Sequence, residues 1–275
     1  MSKGYGWILT VFVCAVALAQ QPPPPPTPAP TRDHFKFWKV VSVPVDESVQ
    51  LLGQFDGETW WEASVDSIEY VGNPTRKNYR NTITLITDPD LHLVAYSITP
   101  ALGQPRRTVV IENQLGFVVG SINSWTLGDP ELLLVPAGKT FSPTVAKRPA
   151  RGDHFVCYAV VEPRLLYREL TLNDQFDMRR QTAEQITELE PAYFCVPARK
   201  RHGRAVAQPL VDATTHLAIY RIRPITVLPL RTRFQVSTAD QFGTRTLRVR
   251  GSRMLAVPTI KSSWERKIIF RPAEK

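Results

Sequence analysis

The stretch Asp153-His154-Phe155-Val156-Cys157-Tyr158 decides the reading of this chain, because its pattern returns. Histidines stand at His34, His92, His154 and His216, at spacings of 58, 62 and 62 residues. Four residues after each comes an aromatic: Trp38, Tyr96, Tyr158 and Tyr220. A second landmark follows at Gln54, Gln114, Gln175 and Gln241, each preceding a large apolar residue: Phe55, Leu115, Phe176 and Phe242. A third is a Pro-x-x-Lys signature pairing Pro74 with Lys77, Pro136 with Lys139, Pro197 with Lys200 and Pro258 with Lys261. Three landmarks in one order, at one period, four times over, mark four related repeats of about sixty residues.

The pattern between the landmarks is that of strands. Five residues before each Gln stand Val49, Val109, Leu170 and Val236; three before stand Leu51, Ile111, Leu172 and Thr238. These odd offsets share one face of a β-strand with the apolar residue after the Gln. A second run carries Val71, Leu133, Phe194 and Leu255 and is expected to end at each Pro, which cannot donate to a ladder. With the strand opened by each His, a repeat offers three strands and no helix; Gln181 to Glu190, the best helical candidate, is too poor in apolar residues. The expected class is all-β.

The repeats alternate. The first and third open with Asp33-His34-Phe35 and Asp153-His154-Phe155. The second and fourth place an Asp four residues before the His, at Asp88 and Asp212. The unit of duplication is therefore a pair, which predicts one β-barrel or β-sandwich over 33–142 and another over 153–262. Pro143 to Gly152 would join them, and 263–275 would form a tail. The alternative is a four-bladed, propeller-like ring, against which the alternation argues.

The N-terminus reads as an export signal. Lys3 supplies a positive start, Gly6 to Ala15 an apolar run, and Ala17-Leu18-Ala19 a cleavage site, so 1–19 would be removed. An uncleaved anchor is the alternative, although the run is short for a membrane span. Residues 20–32 follow as a proline-rich linker, in which Pro22 to Pro30 should form an extended polyproline stalk.

Repeat alignment also predicts a contact. Three residues after each His and two before each Pro lie Phe37 and Gly72, Ala95 and Leu134, Cys157 and Cys195, and Ile219 and Ala256. Each pair is two cysteines or one large and one small residue, as touching core positions require. In an exported chain, Cys157 and Cys195 should then be joined.

These residues are similar to a known pattern. Asp153 to Tyr158, then Leu172-Asn173-Asp174-Gln175-Phe176, then Phe194-Cys195-Val196-Pro197 resemble an uncharacterised exported bacterial repeat family. That family carries a D-H-F-x-C-Y start, a D-Q-F centre and a C-x-P-x-x-K end in paired halves. The resemblance covers residues 33 to 261 and implies fold and export, with no activity attached. This chain departs from it by lacking the cysteines in three of four repeats.

Charge is uneven. Residues 33–140 hold 8 Lys and Arg against 13 Asp and Glu, a net of −5; residues 141–275 hold 24 against 12, a net of +12. Either the halves attract each other, or the basic half meets an anionic polymer such as an acidic polysaccharide of the cell envelope. The densest basic run is Arg199-Lys200-Arg201-His202-Gly203-Arg204, which is expected to be a solvated loop; the alternative makes Arg199, Lys200, Arg201 and Arg204 the candidate anion-binding residues. The four histidines and four glutamines are expected to be structural, satisfying backbone groups. Asp88, Asp90 and His92 have metal-like spacing, but Asp-Pro is also an ordinary turn opener. Trp60 and Trp61 would face opposite sides of a strand; core or interface packing is the expected role, and the alternative is that one of them forms an exposed platform for a sugar ring.

No G-x-S-x-G elbow, glycine-rich phosphate loop or H-E-x-x-H helix occurs, and nothing calls for a cofactor. No nucleic-acid-binding signature is present. The expected function is a non-catalytic exported or cell-envelope module that binds or builds surface structure; the alternative is an exported enzyme acting on polysaccharide.

Overall fold

The computed structural model describes residues 32–115, 124–149, 151–225 and 234–266. The expected leader, and the proline segment up to residue 31, lie outside them. The chain is almost entirely β: β1 (His34–Gly53), β2 (Trp61–Tyr79), β3 (Thr82–Thr84), β4 (His92–Pro100), β5 (Arg107–Glu112) and β6 (Ser124–Phe141) precede β7 (His154–Val161) and β8 (Leu166–Asp174). One short helix, α1 (Gln175–Arg180), comes next, followed by β9 (Glu184–Arg201), β10 (Thr215–Pro224), β11 (Gln235–Asp240) and β12 (Gly243–Arg266).

Eight of these strands close a single antiparallel ring. β1 pairs β2, then β4, β6, β7, β9, β10 and β12 follow in order, and β12 returns to β1. Each expected repeat contributes two ring strands, one opened by its His and one carrying its Pro-x-x-Lys. Two separately closed sheets were expected; the pairings of β6 with β7 and of β12 with β1 join both halves into one. The physical reason is strand number, since each half supplies four ring strands and the eight together close without a free edge. The sheet is also continuous, unlike the separate blades of a propeller.

The ring has two faces with two cores. Phe35, Phe37, Leu93, Ala95, Leu132, Leu134, Phe155, Leu217, Ile219, Met254 and the cysteine pair form one small cluster. Residues from strands all round the ring meet there, so this face is the inner one. The four predicted contacts are direct cross-strand partners on it: Phe37 opposite Gly72, Ala95 opposite Leu134, Cys157 opposite Cys195, and Ile219 opposite Ala256. Cys157 and Cys195 form a disulfide with Cα atoms 3.9 Å apart. A Cβ on Gly72 would lie 2.7 Å from the Phe37 ring, so the small partner is required there.

The outer face carries Trp38, Tyr96, Tyr158 and Tyr220 and belongs to the larger core. It is covered by the segments that lead to each Gln. In the first repeat this segment is the end of the long β1; in the others it is β5, β8 and β11. Each of these arms crosses to a distant strand: Gln50–Gly53 pairs β9, β5 pairs β12, β8 pairs β2, and β11 pairs β6. The exchange is reciprocal between the first and third repeats and between the second and fourth.

This exchange explains the prolines. The expected strand ends at Pro74, Pro136, Pro197 and Pro258 are not observed, because β2, β6, β9 and β12 run through them. Each Pro lies just past the point where one ring neighbour stops. β4 is last paired to β2 at Gly72, β7 to β6 at Leu134, β10 to β9 at Cys195, and β1 to β12 at Ala256. The missing N–H therefore falls at a local edge and costs no ladder bond. Beyond it, the exchanged arm takes the vacated side.

Two local expectations also change. The helix falls at Gln175–Arg180, ahead of the 181–190 candidate, which is mostly strand β9. It is set by a capping box: Asp174 accepts from the N–H groups of Phe176 and Asp177, and Asp177 accepts from that of Asp174. The tail from 263 is strand as far as Arg266, where β12 pairs β5.

Candidate functional site

The landmark residues assemble into four corner units. The buried His34, His92, His154 and His216 sit at or next to the start of ring strands β1, β4, β7 and β10. Each imidazole is held neutral, mainly by burial and next by the lysine of its own repeat. His92 and His154 are pushed down to about 3, His216 to about 4, and His34 well below the usual range. Burial also pushes Lys77, Lys139, Lys200 and Lys261 down to about 8.

The glutamines close these corners from the neighbouring repeat. Lys77 donates to Gln114, and Lys139 Nζ donates to Gln175 Oε1 at 2.7 Å. Gln241 hydrogen-bonds His154. Gln54 Oε1 meets both Lys261 Nζ at 2.7 Å and His216 Nε2 at 2.8 Å. The residue after the Gln packs under the same lysine: Phe176 under Lys139, Phe242 under Lys200 and Phe55 under Lys261, at 4.6, 4.2 and 4.8 Å. Every corner thus takes His and Lys from one expected repeat and Gln from the next, and the last corner is completed by Gln54 of the first.

The aspartates whose placement alternates along the sequence are used in two matching ways. Asp33 accepts from the N–H groups of Thr87 and Asp88, and Asp153 accepts from those of Val211 and Asp212. Asp88 and Asp212 in turn accept from the N–H groups that follow them. The Asp of the odd repeat fastens the turn that opens the even one. Asp88 and Asp90 are exposed while His92 is buried, so their spacing does not bring three ligands together; no cluster of three metal-binding side chains occurs among the described residues.

The basic run is divided by the pleat of β9. Arg199 and Arg201 point outward and flank Trp60, their guanidinium carbons 5.5 and 3.9 Å from the indole centre. Lys200, between them, points the other way and is buried. The four-residue patch expected from the sequence is therefore two arginines on Trp60, with Arg204 exposed on the following turn and Lys200 belonging to a corner. Trp61 is fastened instead, donating to Asp56 Oδ2 at 2.9 Å.

A cleft of about 520 Å³ opens beside Tyr70 and Tyr193, edged by Arg221, Arg223, Glu188 and Glu190. Two pairs of its charges are matched: Arg221 meets Glu190 at 2.8 Å and Arg223 meets Glu188 at 3.5 Å, while Arg253 also lines it. Among the described residues the salt bridges do not include Arg199 or Arg201, so the Trp60 platform carries two cations with no paired carboxylate.

One cluster has no counterpart in the other repeats. Lys36, fully buried, contacts Asp177 and lies 3.4 Å from Glu184 and 3.9 Å from Asp174. Trp38 Nε1 and Asn73 Nδ2 donate to Asp174 Oδ2 at 2.6 and 3.1 Å. Burial pulls the Lys36 ammonium down, but Asp174, Glu184 and Asp177 outweigh it and the net direction is up. Burial, with Asp174, pushes Asp177 up to about 7. None of the repeated landmarks marks this cluster; its one trace in the sequence is Lys36, standing where the equivalent positions hold Val94, Val156 and Ala218.

Comparison with known families fits this geometry. A family model described as a repeat of unknown function, DUF7450, matches residues 92–258, from one landmark His to the last landmark Pro. The chain belongs to this family. The DUF7450 match runs through the 143–152 segment, so it spans both halves of the ring. No curated protein and no solved structure matches the chain. No helix among the described residues is long and apolar enough to cross a membrane.

Proposed function

We propose that this DUF7450 protein is a non-catalytic exported module that binds an anionic envelope polymer, such as an acidic polysaccharide. One observation carries the reading: Arg199 and Arg201 flank the indole of Trp60 on the solvent-exposed side of the end of β9. An aromatic face with adjacent guanidinium groups that form no salt bridge among the described residues suits a ring bearing a carboxylate, since the ring stacks and the charge pairs. In this reading the body is a duplicated pair of repeats carried on the proline segment after leader cleavage. The equivalent roles of Asp33 and Asp153 support the duplication. The cluster peculiar to one repeat, around Lys36, is sealed from solvent, which favours binding over the alternative of a polysaccharide-cleaving enzyme.

The test is binding of a polyuronate to the mature protein, followed by Trp fluorescence and by salt titration. Affinity should fall with salt and should drop at least tenfold in the variants Trp60→Ala and Arg199→Gln/Arg201→Gln. Unchanged binding in both variants would remove the site, and no binding of any anionic glycan would remove the function.

A further inference from the structure

The cluster around Lys36 has the parts of a self-forming amide cross-link. We propose that the Lys36 side chain condenses with the Asp177 carboxyl to form an intramolecular isopeptide bond, with Glu184 moving the proton. Lys36 Nζ touches Asp177 Oδ2, and Glu184 lies 3.4 Å from the same nitrogen. Glu184 is itself fixed by the Ser252 hydroxyl at 2.7 Å. The Trp38 ring lies 4.7 Å from Nζ and Phe176 packs edge-on against it, walling the site from water.

The step balances without any oxidant or reductant. The Nζ–Cγ bond forms and the Cγ–Oδ1 bond breaks. Two protons leave the Lys36 ammonium, by way of Glu184, and depart with Oδ1 as water. Oδ2 remains as the amide carbonyl and keeps its bond from the Asp174 N–H, now 3.0 Å long. Oδ1, the oxygen removed, is the one that is buried with no hydrogen-bond partner among the described residues. The condensation thus eliminates an unsatisfied buried acceptor and a buried charge pair together.

The repeats supply an independent argument. At the position of Asn73, which holds Asp174, the other three have Val135, Val196 and Val257. One repeat has therefore exchanged two apolar outer-core residues for an amine and an amide that converge on the acids of α1. Paired ions in such a place are no more stabilising than the apolar residues they replace. A covalent bond is, because it joins chain segments 141 residues apart, in the front and back halves.

Intact mass spectrometry of the purified, folded, disulfide-reduced chain tests this, with its N-terminus determined separately. The expected mass is one water below the sequence mass, and a tryptic digest should give a branched peptide joining Lys36 to Asp177, with no cleavage after Lys36. Glu184→Gln keeps both reacting groups and should restore the full mass in a folded chain, as Lys36→Met should. Full mass with ordinary cleavage after Lys36 in the folded wild type overturns the proposal. So does a water lost within a single unbranched peptide, since that places the loss elsewhere.

Discussion

Lys261 Nζ donates to Gln54 Oε1 at 2.7 Å, joining the last Pro-x-x-Lys of the chain to the first landmark Gln across 207 residues. His216 reaches the same oxygen at 2.8 Å, and being neutral it can donate there. Gln54→Ala removes one acceptor from two donors and leaves the ammonium of Lys261 half-buried without it. The expected loss is about 1–3 kcal/mol of unfolding free energy, by the cost of orphaning such donors. Urea denaturation of the variant checks it. An unchanged midpoint would show that the fourth corner does not hold the ends of the ring together.

Much of this ring is written in the sequence, and the limits have physical causes. The cross-strand pairs Phe37–Gly72 and Ile219–Ala256 were legible because volume matching leaves a trace at fixed repeat offsets. The exchange of arms was not. Nothing in the period of β8 specifies that Leu172 lies opposite Lys77 rather than a residue of its own half. The prolines misled for the same reason: Pro197 reads as a strand end unless one knows that β10 has already stopped at Cys195. The placement of Lys200 was recoverable, since in a strand it must face away from Arg199 and Arg201.

Acid should unfold this protein through its histidines. His92 and His154 titrate near 3 and His216 near 4 when folded, whereas an unfolded imidazole titrates at about 6.5. Below about 6.5 the unfolded chain takes up protons that the folded chain refuses, so stability present at neutral pH is lost as the pH falls toward 4. Asp240, raised by burial, acts in the opposite sense over part of that range, as does Asp177, raised to about 7, wherever its carboxyl is uncondensed. Each imidazole changes stability by about 1.4 kcal/mol per pH unit, so the three outweigh the two carboxyls and the net loss should reach several kcal/mol. Urea midpoints at pH 7 and pH 4.5 measure it. A flat profile would mean that the imidazoles are not buried and neutral.

Lys200 predicts a stabilising substitution. Its ammonium is buried, lies 4.2 Å from the centre of the Phe242 ring and has no hydrogen-bond partner among the described residues. Burial lowers it to about 8, so at pH 7 the folded chain carries a charge it holds poorly. Lys200→Met keeps the length of the side chain and should add about 1–3 kcal/mol at pH 7. The advantage should shrink toward pH 10, because wild-type stability rises once the folded chain sheds a proton that the unfolded chain keeps. Thermal melts at the two pH values decide it; a destabilised Met variant would mean that the ammonium has a partner.

The cysteine pair offers the most direct test of repeat equivalence. Cys157 and Cys195 occupy the same cross-strand relation as Ile219 and Ala256, on the same inner face. Two contributions should therefore separate. The cross-link closes a loop of 38 residues and should supply about 3–4 kcal/mol by restricting the unfolded chain. The packing of the two positions is a distinct quantity, set by volume. Cys157→Ala/Cys195→Ala should lose both the cross-link and part of the packing. Cys157→Ile/Cys195→Ala restores the large-and-small pairing used elsewhere in the ring, and should recover about 1–2 kcal/mol relative to the double alanine variant. Denaturant unfolding of the three proteins, with the wild type oxidised, gives both numbers. If the Ile/Ala protein is no more stable than Ala/Ala, the surroundings of this pair differ from those of Ile219 and Ala256, and the four inner-face pairs are not interchangeable.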